Sequence, residues 1–206
     1  VYKNVAIAAL LDYSKSLRDQ PVAFADMKAG FSNFFGSLKP NDVAEVIRFA
    51  TQNEVTQPFT TDVAALRTAI EAPFNKGDDT RLYDTVFLGI DNVANSRTTY
   101  PGYRGVVIVA TDGVNQLPST APSVHTLQQV IANARSKNVP IFTIGIGASI
   151  NSSVLSDMAT QTGGLFYQAN TSQNLATIYQ QIAPLLFEKQ YVVKFNHLRA
   201  TTVGVT

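Results

Sequence analysis

The sequence predicts an α/β fold: a three-layer, doubly wound, Rossmann-like arrangement in which helices cover both faces of a mostly parallel sheet with one antiparallel edge strand. Three observations carry this prediction. The segments 5–11, 106–110 and 139–146 are almost continuously apolar, as strands buried on both faces must be. Segments with helical spacing of apolar residues separate them, so strand and helix alternate along the chain. The turn at Thr51-Gln52-Asn53 joins two extended segments directly and leaves no room for a crossover helix, so that pair is antiparallel.

The elements follow in order. Residues 5–16 read VAIAALLDYSKS: a buried strand ending at Asp12, then a turn carrying Ser14 and Ser16. Over 21–38, Val22, Phe24, Met27, Phe31, Phe34, Phe35 and Leu38 form one broad apolar helix face, entered through Pro21 in the first turn. The phenylalanines are core residues by default. Lys39-Pro40-Asn41-Asp42 breaks that helix. Residues 43–50 read as a strand and 54–59 as a short one, where Pro58 marks a sheet edge.

Thr61-Asp62 caps a helix over 63–72. Residues 73–80 are a loop by their Asn75, Gly77, Asp78 and Asp79. A helix over 82–94 sets Leu82, Val86, Ile90 and Val93 near one face. After the turn Tyr100-Pro101-Gly102, the buried strand 106–110 ends at Thr111-Asp112-Gly113. A polar loop with Pro118 and Pro122 leads to a helix over 124–137, with His125 expected as an exposed residue of its first turn. The strand 139–146, a short helix over about 152–162 stopped by Gly163-Gly164, a small strand at 165–168 and a last helix over about 172–187 complete the pattern. An extended segment at 191–195 and a polar tail follow. With no break in composition before about Glu188, the expectation is one domain over 1–188, and 189–206 as a C-terminal strand and tail or the start of a following segment.

Composition narrows the function classes. The chain of 206 residues carries a net charge of +1, with its Lys and Arg scattered, which argues against nucleic acid or an anionic membrane as partner. No apolar run reaches the roughly 20 residues needed to cross a bilayer, and no basic, apolar and small-residue leader opens the chain. The first residue is Val1 rather than Met, which predicts a piece of a longer protein. The absence of cysteine excludes disulfides, thiolate metal sites and Cys nucleophiles, and is compatible with an extracytoplasmic bacterial setting, periplasmic, cell-surface or secreted. With only His125 and His197, a multi-histidine site is not expected.

Asp12, Ser14 and Ser16 offer three hard oxygen ligands from one short loop, suited to Mg²⁺, Mn²⁺ or Ca²⁺ rather than zinc. Taken alone this pattern is weak, because Ser and Asp also cap helices after strands. A second buried strand, however, ends in Asp112. In an open parallel sheet ligands bind beyond the carboxyl ends of the strands, where strand order reverses. If the strands ending in Asp12 and Asp112 are neighbours there, their carboxylates share one crevice, and the loop carrying Asp78, Asp79 and Thr80 returns to the same edge. Two bare carboxylates so close would repel and raise each other's pKa unless a cation sits between them.

DYSKS at 12–16, DTRLYD at 79–84, ATDG at 110–113 and TGGLFYQA at 162–169 before a final helix resemble the von Willebrand factor type A domains, relatives of the integrin inserted domain. The resemblance runs from about residue 5 to 187. It implies a metal ion-dependent adhesion site whose ligands are Asp12, Ser14 and Ser16 from the first loop, Thr80 from the second and Asp112 from the third. It also implies a protein partner whose acidic side chain completes the metal's coordination, and a last helix whose slide alters affinity in some members. The family often has Gly where this chain has Lys15 and Met where it has Leu17; Lys15 is expected to point away from the ion. Asp78 and Asp79 replace small residues before the Thr, and either add negative charge near the site or pair with Arg81.

Asp84 and Asp91 are expected on a helix surface or in caps, and the rings of Tyr13, Tyr83 and Tyr167 are expected to be buried. The leading function is thus a metal-dependent protein-binding module with no enzymatic activity, direct membrane insertion or nucleic-acid partner. The rivals are a scaffold whose metal is purely structural and a metal-assisted hydrolase or phosphoryl-transfer enzyme. The enzyme is disfavoured because no GxSxG, GxxxxGK or GxGxxG motif is present and both carboxylates serve as ligands, leaving no evident base.

Overall fold

A computed structural model describes residues 4–147, 150–169 and 172–187. Its elements are β1 (Val5–Asp12), α1 (Lys15–Arg18), α2 (Pro21–Phe35), β2 (Val43–Phe49), β3 (Asn53–Thr60), α3 (Val63–Glu71), α4 (Leu82–Ser96), β4 (Arg104–Thr111), α5 (Leu127–Lys137), β5 (Ile141–Ile146), α6 (Ser152–Thr160), β6 (Phe166–Ala169) and α7 (Ser172–Phe187). The six strands form one sheet in the order β3-β2-β1-β4-β5-β6, parallel except for the β2–β3 pair at one edge. This is the predicted doubly wound α/β architecture. The expected segment at 191–195 lies outside the described residues.

Every residue of β1 is buried, and alternation sorts its side chains between two cores. Val5, Ile7, Ala9 and Leu11 pack with Met27, Phe31, Phe34 and Phe35 of α2, Leu66 of α3, and Ile178 and Ile182 of α7. Ala8 and Leu10 pack on the opposite face with Val86, Ile90 and Val93 of α4, Val130 of α5, and Leu155 and Met158 of α6. The apolar runs of β1 and β4 are continuous because helices cover both faces of the central strands. No described helix is long and apolar enough to cross a membrane.

Several boundaries differ from the sequence expectation for local reasons. The helix α2 ends at Phe35 rather than 38, as the chain turns through Gly36 and the Ser37 and Leu38 amides bond to the carbonyls of Phe34 and Phe35. The helix α5 begins at Leu127 rather than 124. Thr126 and Gln129 form a reciprocal capping box that fixes the start three residues later. The turn after Asp12 contains the four-residue helix α1, with Ser14 at its N-cap position but its side chain making no cap hydrogen bond.

Candidate metal centre

Asp12 is the last residue of β1, and Asp112 follows the last residue of β4. These strands are parallel neighbours, with Leu11 opposite Ala110, and strand order reverses between them. Both carboxylates therefore emerge at one point of the sheet's carboxyl edge, the crevice that doubly wound folds leave open.

A relay of short contacts joins the first and third loops. The Ser14 amide donates to Asp12 Oδ1 at 2.8 Å, and the Ser14 and Ser16 hydroxyls lie 3.1 Å apart. Ser16 Oγ donates to Asp112 Oδ2 at 2.5 Å. Thr80 comes from the second loop and is held by a two-way backbone bridge: its amide donates to the Gln116 carbonyl at 2.7 Å, and the Gln116 amide returns to the Thr80 carbonyl at 3.0 Å. Ser16, Thr80 and Asp112 line a single cleft of about 350 Å³ with Gln20, Val114, Gln116 and Ile146. All five sequence-predicted residues thus gather at one sheet edge. Asp12 and Ser14 are fully buried and do not line the cleft, and Thr80 and Asp112 are nearly fully buried.

Burial pushes the Asp12 carboxyl up to about 6, and the neighbouring Asp112 charge adds to the rise. Hydrogen bonds from Ser14 and Thr111 oppose it. The nearby cations are turned to other carboxylates: Lys15 is exposed and pairs with Asp19 at 2.5 Å, and Arg18 pairs with Asp78. Two carboxylates and three hydroxyls from three loops make a hard-oxygen donor set, fitting Mg²⁺, Mn²⁺ or Ca²⁺. Among the described residues no group of three or more His, Asp or Glu side chains gathers.

Neither acidic residue before Thr80 pairs with Arg81. Asp78 pairs with Arg18, and Asp79 accepts a hydrogen bond from Thr51 Oγ1 at 3.2 Å. Arg81 pairs instead with Asp84 at 2.8 Å. Asp84, in the first turn of α4, is largely covered and takes the capping alternative: it accepts from the His125 and Val124 amides at 2.9 and 3.2 Å and faces His125 Nδ1 at 3.0 Å. Burial raises its carboxyl, but the His125 and Val124 amides, the His125 ring and Arg81 outweigh that and hold it below the usual range. His125 therefore precedes its helix, half-buried and stacked on Phe87 at 3.7 Å, rather than lying exposed in a first turn. Asp91 does lie on the helix surface, paired with Lys137 at 2.5 Å. Tyr13 is buried and donates to the Ile70 carbonyl, while Tyr83 and Tyr167 are half-buried.

Thr111 escaped the sequence reading. Its hydroxyl donates to Asp12 Oδ2 at 2.6 Å and accepts the Gly113 amide at 3.0 Å, so it orients the one carboxylate and the turn beside the other. A hydroxyl ending an otherwise apolar strand, directly before Asp112, was the available signal.

The family described as von Willebrand factor type A domain matches residues 6–181. No curated protein sequence matches the chain. Among solved structures, proximal thread matrix protein 1 from the mussel byssus superposes with a TM-score of 0.74 at 18% identity, over 90% of this chain and 49% of that one. A von Willebrand factor type A protein from Catenulispora acidiphila gives 0.74 at 16% identity, over 88% and 42%. The von Willebrand factor domain of the type V pilus tip protein from Porphyromonas gingivalis gives 0.68 at 14%, over 95% and 100%. The chain thus spans about half the length of the byssus protein and matches the whole of the pilus tip domain. These likenesses are likenesses of fold. With the family match covering most of its length, the chain belongs to the von Willebrand factor type A domain family, whose members are in general protein-interaction modules.

Proposed function

We propose that this domain, over residues 1–188, is a metal-dependent protein-binding module. Asp12, Ser14, Ser16, Thr80 and Asp112 would hold a divalent cation, Mg²⁺ or else Mn²⁺ or Ca²⁺. The cation supplies a positively charged, oxygen-seeking coordination position that an acidic side chain of a partner protein fills. The observation that carries this reading is the convergence of three loops on one cleft over a buried carboxylate, with Lys15 and Arg18 of the same loop paired to other carboxylates.

The chain's own groups divide the work. Asp12 and Asp112 supply the negative charge that makes cation binding favourable. The three hydroxyls are neutral ligands, so they add no negative charge beyond the two carboxylates that balance the cation, and a coordination position left to water is open to an acidic side chain. Thr111 keeps Asp12 oriented. No activity is proposed, since both carboxylates are engaged as ligands. The setting we propose is extracytoplasmic, supported by the lack of cysteine and by neighbours from a pilus tip and a byssus.

The test uses Mn²⁺ and water-proton relaxation. A Mn²⁺ ion open to a partner carries exchangeable waters, and an Asp-containing peptide that coordinates it displaces them and lowers the relaxation enhancement. The expected result is enhancement on binding, reversal by the Asp peptide and no reversal by the matched Asn peptide. Mn²⁺ bound with a large rise in melting temperature, but indifferent to both peptides, would favour a structural metal instead. Hydrolysis of p-nitrophenyl phosphate by the loaded domain, lost in Asp12→Ala, would favour the enzyme.

A further inference from the structure

Thr80 is the one proposed ligand delivered by a long loop, residues 72–80, that contains no regular structure. Such a segment with a glycine and two carboxylates at its tip has no intrinsic reason to hold one conformation. Gln116 bridges Thr80 itself, and Lys15 and Arg18 bond Asp78 and Gly77; a further set of contacts comes from an unexpected place, the tight turn between β2 and the edge strand β3.

Thr51, at the centre of that turn, uses every hydrogen-bonding capacity of its hydroxyl on this loop. Its Oγ1 accepts the amides of Asp78 and Asp79, each at 3.0 Å, and donates to Asp79 Oδ2 at 3.2 Å. Its carbonyl accepts Arg81 Nε at 2.7 Å, and the Ala50 carbonyl accepts the Arg81 amide at 2.9 Å. The Gln52 amide donates to the Lys76 carbonyl at 3.1 Å. Residues on both sides of Thr80 are thus fixed to one hairpin turn. The approach is close enough that only glycine fits opposite: a Cβ on Gly77, whose φ is +94°, would lie 2.2 Å from Thr51 Oγ1. Thr51 itself is half-buried and does not line the cleft.

We infer that Thr51 is a positioning residue of the cation site: its hydroxyl presets the backbone that aims Thr80 at the cleft. This rests on the metal-dependent reading proposed above. It also makes the β2–β3 hairpin a structural support of the site, so that the edge of the sheet and the cleft are mechanically joined.

The test compares the wild-type chain with Thr51→Val, Thr51→Ala and Thr51→Ser. Mn²⁺ affinity is read by calorimetry, and amide hydrogen exchange is read over 76–81 without metal. Loss of the hydroxyl in Thr51→Val and Thr51→Ala is expected to weaken Mn²⁺ binding roughly 10–100-fold, the range for residues that orient metal ligands. Exchange at Asp78–Thr80 should rise while the melting temperature stays close to wild type. Thr51→Ser, which keeps the hydroxyl, should restore affinity and protection together. Wild-type Mn²⁺ affinity in both Thr51→Val and Thr51→Ala would overturn the inference and leave the site reading standing. Failure of the wild-type chain itself to bind Mn²⁺ would overturn the site reading, and this inference with it.

Discussion

Glu45 offers a prediction that depends on the fold alone. It sits in the middle of β2, opposite Ala8 of β1, and is only 2% exposed. One carboxyl oxygen, Oε2, accepts Asn92 Nδ2 of α4 at 3.1 Å; the other, Oε1, is buried with no hydrogen-bond partner. Burial pushes the carboxyl from 4.5 to about 8, only partly offset by the Asn92 bond. The native state therefore prefers the protonated form. Its contribution to stability is fully present below pH 4.5 and is lost as pH rises through 8.

Integrating between those values gives a loss of roughly 1 kcal/mol at pH 5, about 3 kcal/mol at pH 7, and between about 4 and 5 kcal/mol at pH 8.5. Glu45→Gln keeps the shape and the bond from Asn92 but removes the titration. Urea unfolding of both proteins, followed by far-UV circular dichroism because the chain has no Trp, gives the difference directly. Subtracting the two proteins cancels groups that titrate in both, Asp12 included. The variant should gain on the wild type by about 3–4 kcal/mol between pH 5 and 8.5. A difference that stays flat across that range would refute the argument that burial keeps this carboxyl protonated.

Two further outcomes follow from packing. Phe31→Ala removes a fully buried ring from the core between α2 and the sheet and should cost about 3–5 kcal/mol in chemical unfolding; a loss under 1 kcal/mol would mean the face is not packed as described. Gly164→Ala would set a Cβ 1.9 Å from the Ile141 carbonyl oxygen, backbone that has nowhere to go. That change should shift β5 and β6 apart and lower the melting temperature by several degrees, whereas Gly102→Ala, which meets nothing within 4 Å but has a φ of +81°, should show only the smaller cost of its conformation.

The sheet was legible because burial on both faces leaves a direct trace: VAIAALL and VVIVA cannot be half-exposed strands. The positions of Asp12 and Asp112 followed, since both close such runs, and adjacency of β1 and β4 at the switch point brought them together. Thr80 was weaker, for its loop shows only turn chemistry, and the resemblance supplied its role. Three features were hidden for one physical reason, that a polar side chain's partner lies far away in sequence. Glu45 sits in a strand that sequence marks only as amphipathic, yet α4 covers it. His125 carries helix-like spacing, but the capping box at Thr126 excludes it and Asp84, 41 residues away, takes its amide. Thr51 looks like any turn threonine until the 72–80 loop folds onto it.

Asp12, Ser14, Ser16, Thr80 and Asp112 are proposed to bind a divalent cation. Calorimetric titration of Mn²⁺ into the wild-type domain and into Asp112→Asn tests this most directly, because Asp112 lies in the cleft and its amide variant preserves size. One Mn²⁺ per chain is expected, competed by Mg²⁺, with affinity reduced roughly 100-fold or more in Asp112→Asn. Equal Mn²⁺ binding by both proteins, or none by the wild type, would contradict it.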